Sequence, residues 1–327
     1  MPIIPRKLEK GDTIRVVAPS CALGSISPTH QGVIDARFAA MGLRYTFGAH
    51  IDECDEFDSA SVESRVADIH AAFADREVAG ILTVIGGYNA NQLLPYLDWQ
   101  LIRQNPKIFC GYSDITALQA AMLAKADLVT YSGPHWLAFG MRELFEETQE
   151  AFLDCLFSGA ALELRPSARW TDDTWFLDQD DRQPQPNDGW WVLHHGEASG
   201  QIVGGNLCTL NLLQGTEFMP SLDGSVLMIE DDYESQPPTF DRDLTSLLQQ
   251  RDARGIRGVV IGRFQTRSDM PRDRLRAIID SKRELAGLPV IANVDFGHTN
   301  PMLTIPIGGS VRMEAGAGNS RIAVTEH

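Results

Sequence analysis

Long apolar runs are missing from this sequence. Nowhere in its 327 residues do about eighteen apolar residues follow one another, so nothing reads as a membrane-spanning helix. The opening Met-Pro-Ile-Ile-Pro-Arg-Lys lacks the apolar segment of a secretory signal. Cysteine is sparse. The five, Cys21, Cys54, Cys110, Cys155 and Cys208, are odd in number and far apart, which argues against a disulfide framework. None has metal-ligand spacing, and a reduced, cytoplasmic setting is expected. Positive charge is scarce as well: 28 Lys and Arg stand against 44 Asp and Glu, a net −16 spread along the chain. Such a surface argues against nucleic acid and anionic membranes as partners. There is no internal repeat.

What the chain does have is alternation. Short apolar or β-branched runs at residues 13–18, 43–47, 80–85, 107–110 and 127–131 read as strands. Helix-like stretches at 30–41, 62–74, 89–96 and after Ser113 separate them. This pattern predicts an α/β fold, with a parallel, flavodoxin-like sheet covered by helices on both faces. Ligands in such sheets bind at the carboxyl ends of the strands, where Gly86-Gly87 and Ser113 both fall. Composition shifts over residues 166–200, which are rich in Asp, Pro and Trp. That stretch is expected to be a linker or long active-site loop between an amino-terminal domain (1–165) and a smaller, β-rich carboxy-terminal α/β domain (201–327). In the second half, strands are expected at 225–230, 258–262, 289–292, 302–307, 310–314 and 320–324. Helices are expected at 240–251 and 272–284.

The most informative segment is Lys107-Ile-Phe-Cys-Gly-Tyr-Ser113-Asp-Ile-Thr-Ala-Leu. A strand ends, a tight turn follows, and an Ala/Leu/Met-rich helix begins. This is the setting of a nucleophile elbow, in which the helix start offers free N–H groups to an oxyanion. The usual elbow has Gly two residues after the serine, and Ile115 stands there instead. A serine that merely caps the helix is the competing reading. A nucleophile needs a base and an orienting acid. His298, in Asp295-Phe-Gly-His-Thr-Asn-Pro301, is the candidate base; His194 and His195 can contact ligand instead, and His135 can line the cleft. Leu227-Met-Ile-Glu230-Asp-Asp-Tyr-Glu234 ends a strand in acids. Glu230 can orient a histidine there, Asp231, Asp232 and Glu234 can ligate a divalent cation, or the acids can simply precede a helix. No metal-ligand spacing supports the cation, so no metal and no cofactor are expected. Gly86-Gly87-Tyr88-Asn89 is either a phosphate turn, though it matches no nucleotide fingerprint, or a second oxyanion donor.

Taken together, these segments resemble the LD-carboxypeptidase family of serine peptidases, which includes the microcin C self-immunity peptidases. The resemblance runs almost end to end: Leu8-Glu-Lys-Gly-Asp-Thr-Ile14, Val17-Ala-Pro-Ser20, Ile85-Gly-Gly-Tyr-Asn-Ala-Asn-Gln-Leu-Leu94, Gly111-Tyr-Ser-Asp-Ile-Thr116, Tyr131-Ser-Gly-Pro134, Gly204-Gly-Asn-Leu207, Ile229-Glu-Asp-Asp232, Phe240-Asp-Arg242 and Phe296-Gly-His298. It implies a catalytic triad of Ser113, Glu230 and His298, split between two domains, and an oxyanion hole near Gly87 and Asp114. Gly86, Tyr88, Asn206 and Trp190 are expected to meet substrate, and the protein is expected to be a homodimer. The segments Tyr131–Trp136 and Asp231–Glu234 look closer to the immunity branch, which cleaves a peptidyl- or aspartyl-nucleotide amide. Trp170, Trp175, Trp190 and Trp191 offer rings on which a base can stack. The alternative is removal of the terminal D-alanine from a murein tetrapeptide. Two further alternatives are a nucleotide-dependent transferase and a non-catalytic binding protein with a two-domain cleft.

Overall fold

The computed structural model describes residues 2–25, 30–316, 318 and 320–327. Five strands form the body of the first sheet: β1 (Thr13–Val17), β2 (Arg44–Phe47), β3 (Val78–Thr83), β4 (Ile108–Gly111) and β5 (Thr130–Ser132). They are parallel and lie in the order β5-β4-β3-β1-β2. Every residue of β3 and β4 is buried, as inner strands of a sheet covered on both faces must be. The chain reverses its direction of winding between β1 and β3, which opens a ligand crevice at the carboxyl edge. The loops that flank this crevice carry Ser20 and Gly86-Gly87, and β4 delivers Ser113 beside them.

The remaining strands are β6 (Leu162–Leu164), β7 (Arg169–Trp170), β8 (Gln185–Pro186), β9 (Trp191–His194), β10 (Gly196–Asn206), β11 (Ser225–Glu230), β12 (Gly258–Gly262), β13 (Val290–Val294), β14 (Ile305–Ile307), β15 (Ser310–Ala315) and β16 (Arg321–Glu326). Eight of them make the second sheet, in the order β6-β16-β15-β10-β11-β12-β13-β9. Its middle, β10 to β13, is parallel, and its flanks are antiparallel. The carboxyl ends of β10, β11 and β13 carry Asn206, Glu230 and the turn leading to His298.

The helix Thr116–Ala126 lies between the two sheets. Nine of its eleven residues are buried, and an apolar sequence on all sides of a helix requires this. Its first residue ties the halves together: Thr116 Oγ1 accepts from Asn206 N at 2.9 Å. Gly205 is needed here, at φ +114°, because a Cβ would come within 2.5 Å of Thr116 Oγ1. The carboxyl edge of the second sheet is thereby pressed onto the Ser113 turn.

Several expectations shift. Residues 166–200 do not form a plain linker. They contain the β7–β8 pair, the edge strand β9 and the start of β10. The stretch before β9 is a strap. Thr171 exchanges backbone hydrogen bonds of 2.8 Å with Asn300, just past His298. On the other side, Gln179 Nε2 donates to Gly140 O at 3.0 Å and Gln179 Oε1 accepts from Arg142 N at 2.7 Å. The strand expected at 302–307 is only Ile305–Ile307, and it pairs antiparallel with β5 in the first sheet. The carboxy-terminal half thus contributes to the amino-terminal sheet. Two-residue and three-residue strands are chosen by their tertiary partners, which local sequence does not display. The 89–96 stretch is a 3-10 helix, Ala90–Tyr96, with Pro95 inside. The helix expected at 240–251 begins earlier, as Pro237–Leu248, with proline in its first turn. The helix expected at 272–284 stops at Asp280.

Candidate active site

Ser113 has φ +64°, in the left-handed region that L-residues avoid. That conformation costs about 1–3 kcal/mol and persists only where surrounding structure imposes it. Gly86 leaves room for the side chain so placed. A Cβ on Gly86 would lie 3.0 Å from Ser113 Cβ and 3.2 Å from its Oγ, so only glycine leaves the hydroxyl its space. The next glycine, Gly87, has φ +152° and sits against Ser20 and Cys21. A Cβ on Gly86 would also be 3.6 Å from Asp114 N, so this loop packs against the helix start that follows Ser113.

Glu230 closes β11 and is 1% exposed. Its Oε2 meets His298 Nδ1 at 2.7 Å. Glycine makes room for this acid on two sides. A Cβ on Gly297, at φ +99°, would strike Glu230 Oε2 at 2.5 Å, and one on Gly262 would reach Glu230 Cβ at 2.7 Å. The Phe-Gly-His sequence is thus explained by the bulk of the carboxylate. Burial pushes the His298 pKa down, but the Glu230 charge and hydrogen bond outweigh it, and the net shift is upward. The His298 side chain remains 16% exposed, so one ring edge is open. The ring stands edge-on to Tyr112, with centroids 5.1 Å apart, next to Ser113 in the chain. Tyr112 stacks in turn on His135 at 4.2 Å. His135 is buried, contacts Thr83 Oγ1 through Nδ1 at 2.8 Å, and is pushed down to about 3 by burial, then by the His298 charge. It supports the site as packing beneath Tyr112.

Models of the LD-carboxypeptidase N-terminal domain and C-terminal domain match residues 14–133 and 199–313. The chain belongs to the LD-carboxypeptidase family. It is a serine-type carboxypeptidase, an amide hydrolase. Among members of the family, YocD of Bacillus subtilis (strain 168) is 50% identical over 98% of this chain and 99% of its own. The microcin C7 self-immunity protein MccF of Escherichia coli is 30% identical over 99% of this chain and 96% of its own. An MccF-like protein from Bacillus anthracis str. Ames has a crystal structure that superposes with a TM-score of 0.98, at 47% identity, covering 99% of this chain and 100% of that one. MccF itself, in complex with aspartyl sulfamoyl adenosine, superposes with a TM-score of 0.87 at 28% identity, covering 100% and 99%.

Within this LD-carboxypeptidase fold the other expected site residues separate. Gly86 lies at Ser113. Tyr88 is 77% exposed at the rim, and Glu234 is the main charge acting to raise its hydroxyl pKa. Tyr88 and Glu234 come from different halves of the chain, and the fold brings them near enough to interact. Tyr233 is there too, with the Arg267 guanidinium 4.5 Å from its ring centre. Asn206 is 1% exposed, and both ends of its amide are hydrogen-bonded within the protein. Its Oδ1 caps the helix Leu207–Asn211 by accepting from Thr209 N at 3.1 Å, and its Nδ2 donates to Asp231 Oδ1 at 3.2 Å. It braces the cleft from behind. Trp190 faces a different hollow, lined with Val192, His195, Arg272 and Arg276. Of the strap tryptophans, Trp170 covers the Arg263 guanidinium at 4.9 Å and Trp175 packs against His30. Trp191 donates to Asp188 Oδ2 at 3.0 Å. Among the described residues no group of three or more His, Cys, Asp or Glu is placed to hold a metal ion. Among them, too, no helix is long and apolar enough to cross a membrane.

Sequence reasoning missed the ion pair behind His298. Arg263 Nη2 donates to Asp295 Oδ1 at 2.5 Å, with both side chains 2% exposed. Ser167 Oγ joins the same carboxylate at 2.7 Å, so the strap is anchored to the loop bearing His298. The only signal was an Asp three residues before a candidate base, which is too weak to act on.

Asp231 gives a stability prediction. Burial, reinforced by the Glu230 charge, pushes its carboxyl up to about 7. A carboxyl with a raised folded-state pKa binds its proton more tightly in the folded protein. Its favourable contribution is complete below the unfolded value and is lost as pH rises through about 7. Asp231→Asn keeps an acceptor for Asn206 and removes that loss. The melting temperature should therefore rise by at least about 2 °C at pH 8, the scale of 1 kcal/mol in a chain this long, and by less at pH 5. A calorimetric scan at both pH values checks it; an equal change at both would mean that Asp231 does not titrate there.

Proposed function

We propose that Ser113, His298 and Glu230 form the catalytic triad of this carboxypeptidase, with the N–H groups of Gly87 and Asp114 as the oxyanion hole. The hydrogen bond from His298 Nδ1 to the buried Glu230 carries the reading. It occupies one ring nitrogen and fixes the tautomer, which leaves Nε2 as the base. Ser113 Oγ attacks the carbonyl carbon of the substrate amide and its proton passes to His298. The tetrahedral oxyanion is held by backbone N–H groups. The C–N bond then breaks, and the leaving amine takes the proton from His298. Water, deprotonated by the same ring, releases the acid and frees Ser113. Glu230 holds the ring through its hydrogen bond and stabilises the imidazolium.

The substrate we favour is a peptidyl- or aspartyl-nucleotide amide. Likeness to MccF, whose structure is known with aspartyl sulfamoyl adenosine, supports this. The family's description as LD-carboxypeptidases supports a second reading, removal of D-alanine from a murein tetrapeptide. One assay separates them. The protein is incubated with aspartyl sulfamoyl adenosine and, separately, with the tetrapeptide, and the products are weighed by mass spectrometry. Faster release of free aspartate from the first is expected. Cleavage of the tetrapeptide alone would replace the first reading with the second. Turnover of neither would overturn both readings and place the substrate in another class of amide.

A further inference from the structure

The side chain of Asp114 has a task of its own. An Asp at a helix start ordinarily accepts from the N–H groups of that helix. This one makes no such cap. It is 3% exposed, and its Oδ2 reaches away to two donors far off in the chain. Ser20 Oγ, after β1, donates at 2.6 Å, and Ala90 N, just past the Gly86-Gly87 loop, donates at 2.9 Å. A second buried charge closes a ring around the same loop. Arg65, 3% exposed, donates through Nη1 to Pro19 O at 3.1 Å and to Asn89 Oδ1 at 2.9 Å, and through Nη2 to Gln92 Oε1 at 2.8 Å. Pro19 neighbours Ser20 and Asn89 neighbours Ala90, so the ring runs Asp114, Ser20, Pro19, Arg65, Asn89, Ala90 and back. The turn it encloses is tied in by Cys21 N, which donates to Gly86 O at 3.1 Å. It is also packed so closely that a Cβ on Gly87 would lie 2.2 Å from Ser20 Oγ.

We propose that the Asp114 carboxylate is a positioning residue that locks the Gly86-Gly87 loop onto the Ser113 turn, so that both oxyanion donors are set before substrate arrives. One residue then does two jobs: its N–H points at the oxyanion and its side chain places the other donor. The physical logic is preorganisation. A donor contributes to the rate only when it is already aimed where charge develops, and an error of about 1 Å can cost a hundredfold. A buried carboxylate needs strong partners to stay buried, and these two donors supply them. The inference rests on the proposed oxyanion hole.

The test compares Asp114→Ala, Asp114→Asn and Ser20→Ala with the unaltered protein and with Ser113→Ala. Three quantities are read on one amide substrate: kcat, KM, and affinity for a peptide boronic acid, whose tetrahedral adduct carries the oxyanion. Asp114→Ala should lower kcat by about 100-fold, the scale of one oxyanion donor. KM should stay within about threefold, and boronate affinity should fall in step with kcat. Asparagine keeps one acceptor and should restore part of the loss. Ser20→Ala, which removes one of the two donors and is milder should the alanine variant fail to fold, should lower kcat several-fold with KM unchanged. A kcat within about threefold of wild type in folded Asp114→Ala, or in Ser20→Ala when the former does not fold, overturns the proposal. So does an equal loss of substrate and boronate affinity, which would mean a general structural role. Loss of activity in Ser113→Ala alongside full activity in Asp114→Ala sinks only this inference. Retained activity in Ser113→Ala sinks the triad itself.

Discussion

Ser113→Ala should lower kcat by about 10⁴- to 10⁶-fold while the protein stays folded. The scale is that of removing the nucleophile from a serine hydrolase. Alanine at φ +64° is no more strained than serine, so the turn has no new reason to relax. The hydroxyl makes no bond on which the helix start depends, because neither the 3-10 turn nor the helix after it is capped by a side chain. The oxyanion donors and the cleft remain, which leaves a small residual rate and preserves substrate binding. KM, or a directly measured Kd, should therefore change little. The capping reading of Ser113 predicts the reverse: a modest loss of stability, about 1 kcal/mol, and near-normal turnover. Activity within about tenfold of wild type, measured beside a melting curve, would refute the assignment of Ser113 as nucleophile.

The two readings separate so cleanly because the Ser113 turn is a local object. An apolar strand, a glycine, a serine and an Ala/Leu-rich helix are adjacent in sequence, and their periodicities show directly. The same is true of β1, β3 and the helix Val62–Ala74, which Ser61 caps by accepting from Ser64 N. The partners of Ser113 are another matter. Glu230 and His298 lie far along the chain, and nothing local distinguishes His298 from the other loop histidines. They were legible through resemblance, and only the fold explains Gly262 and Gly297 as room for the Glu230 side chain. Less legible still were the pieces whose partners are all tertiary. β14 leaves its own half to pair with β5, the strap trades backbone bonds with Asn300, and Asp114 ignores its own helix for Ser20 and Ala90. The composition of residues 166–200, rich in Asp, Pro and Trp, points to a linker or a long active-site loop and shows none of its partners. In the structure Arg182 and Asp173 pair with side chains only 4% and 13% exposed, and that pairing turns the run into a strap.

The second large effect is expected in the pairing of Glu230 with His298. His298→Ala should cost nearly as much kcat as Ser113→Ala, since the nucleophile loses its base. Glu230→Gln should be milder, about 10²- to 10⁴-fold, because glutamine still contacts the ring but no longer stabilises its cation. In the pH profile, kcat/KM should rise on the acid side with the deprotonation of His298, since only the neutral ring accepts the serine proton. Glu230 raises that pKa above the ordinary histidine range. Removing its charge should leave burial opposed only by the smaller pull of Asp232 and Asp231, and move the limb to lower pH. The rate maximum then falls while the acid limb shifts down, a combination that simple unfolding does not produce. Doubles complete the test. Once Ser113 is alanine the base has no proton to take, so adding His298→Ala or Glu230→Gln should lower kcat little further. Multiplicative losses in the doubles, or an acid limb that stays where it was in Glu230→Gln, would mean that the three side chains act independently and that the contact between Glu230 and His298 serves the fold alone.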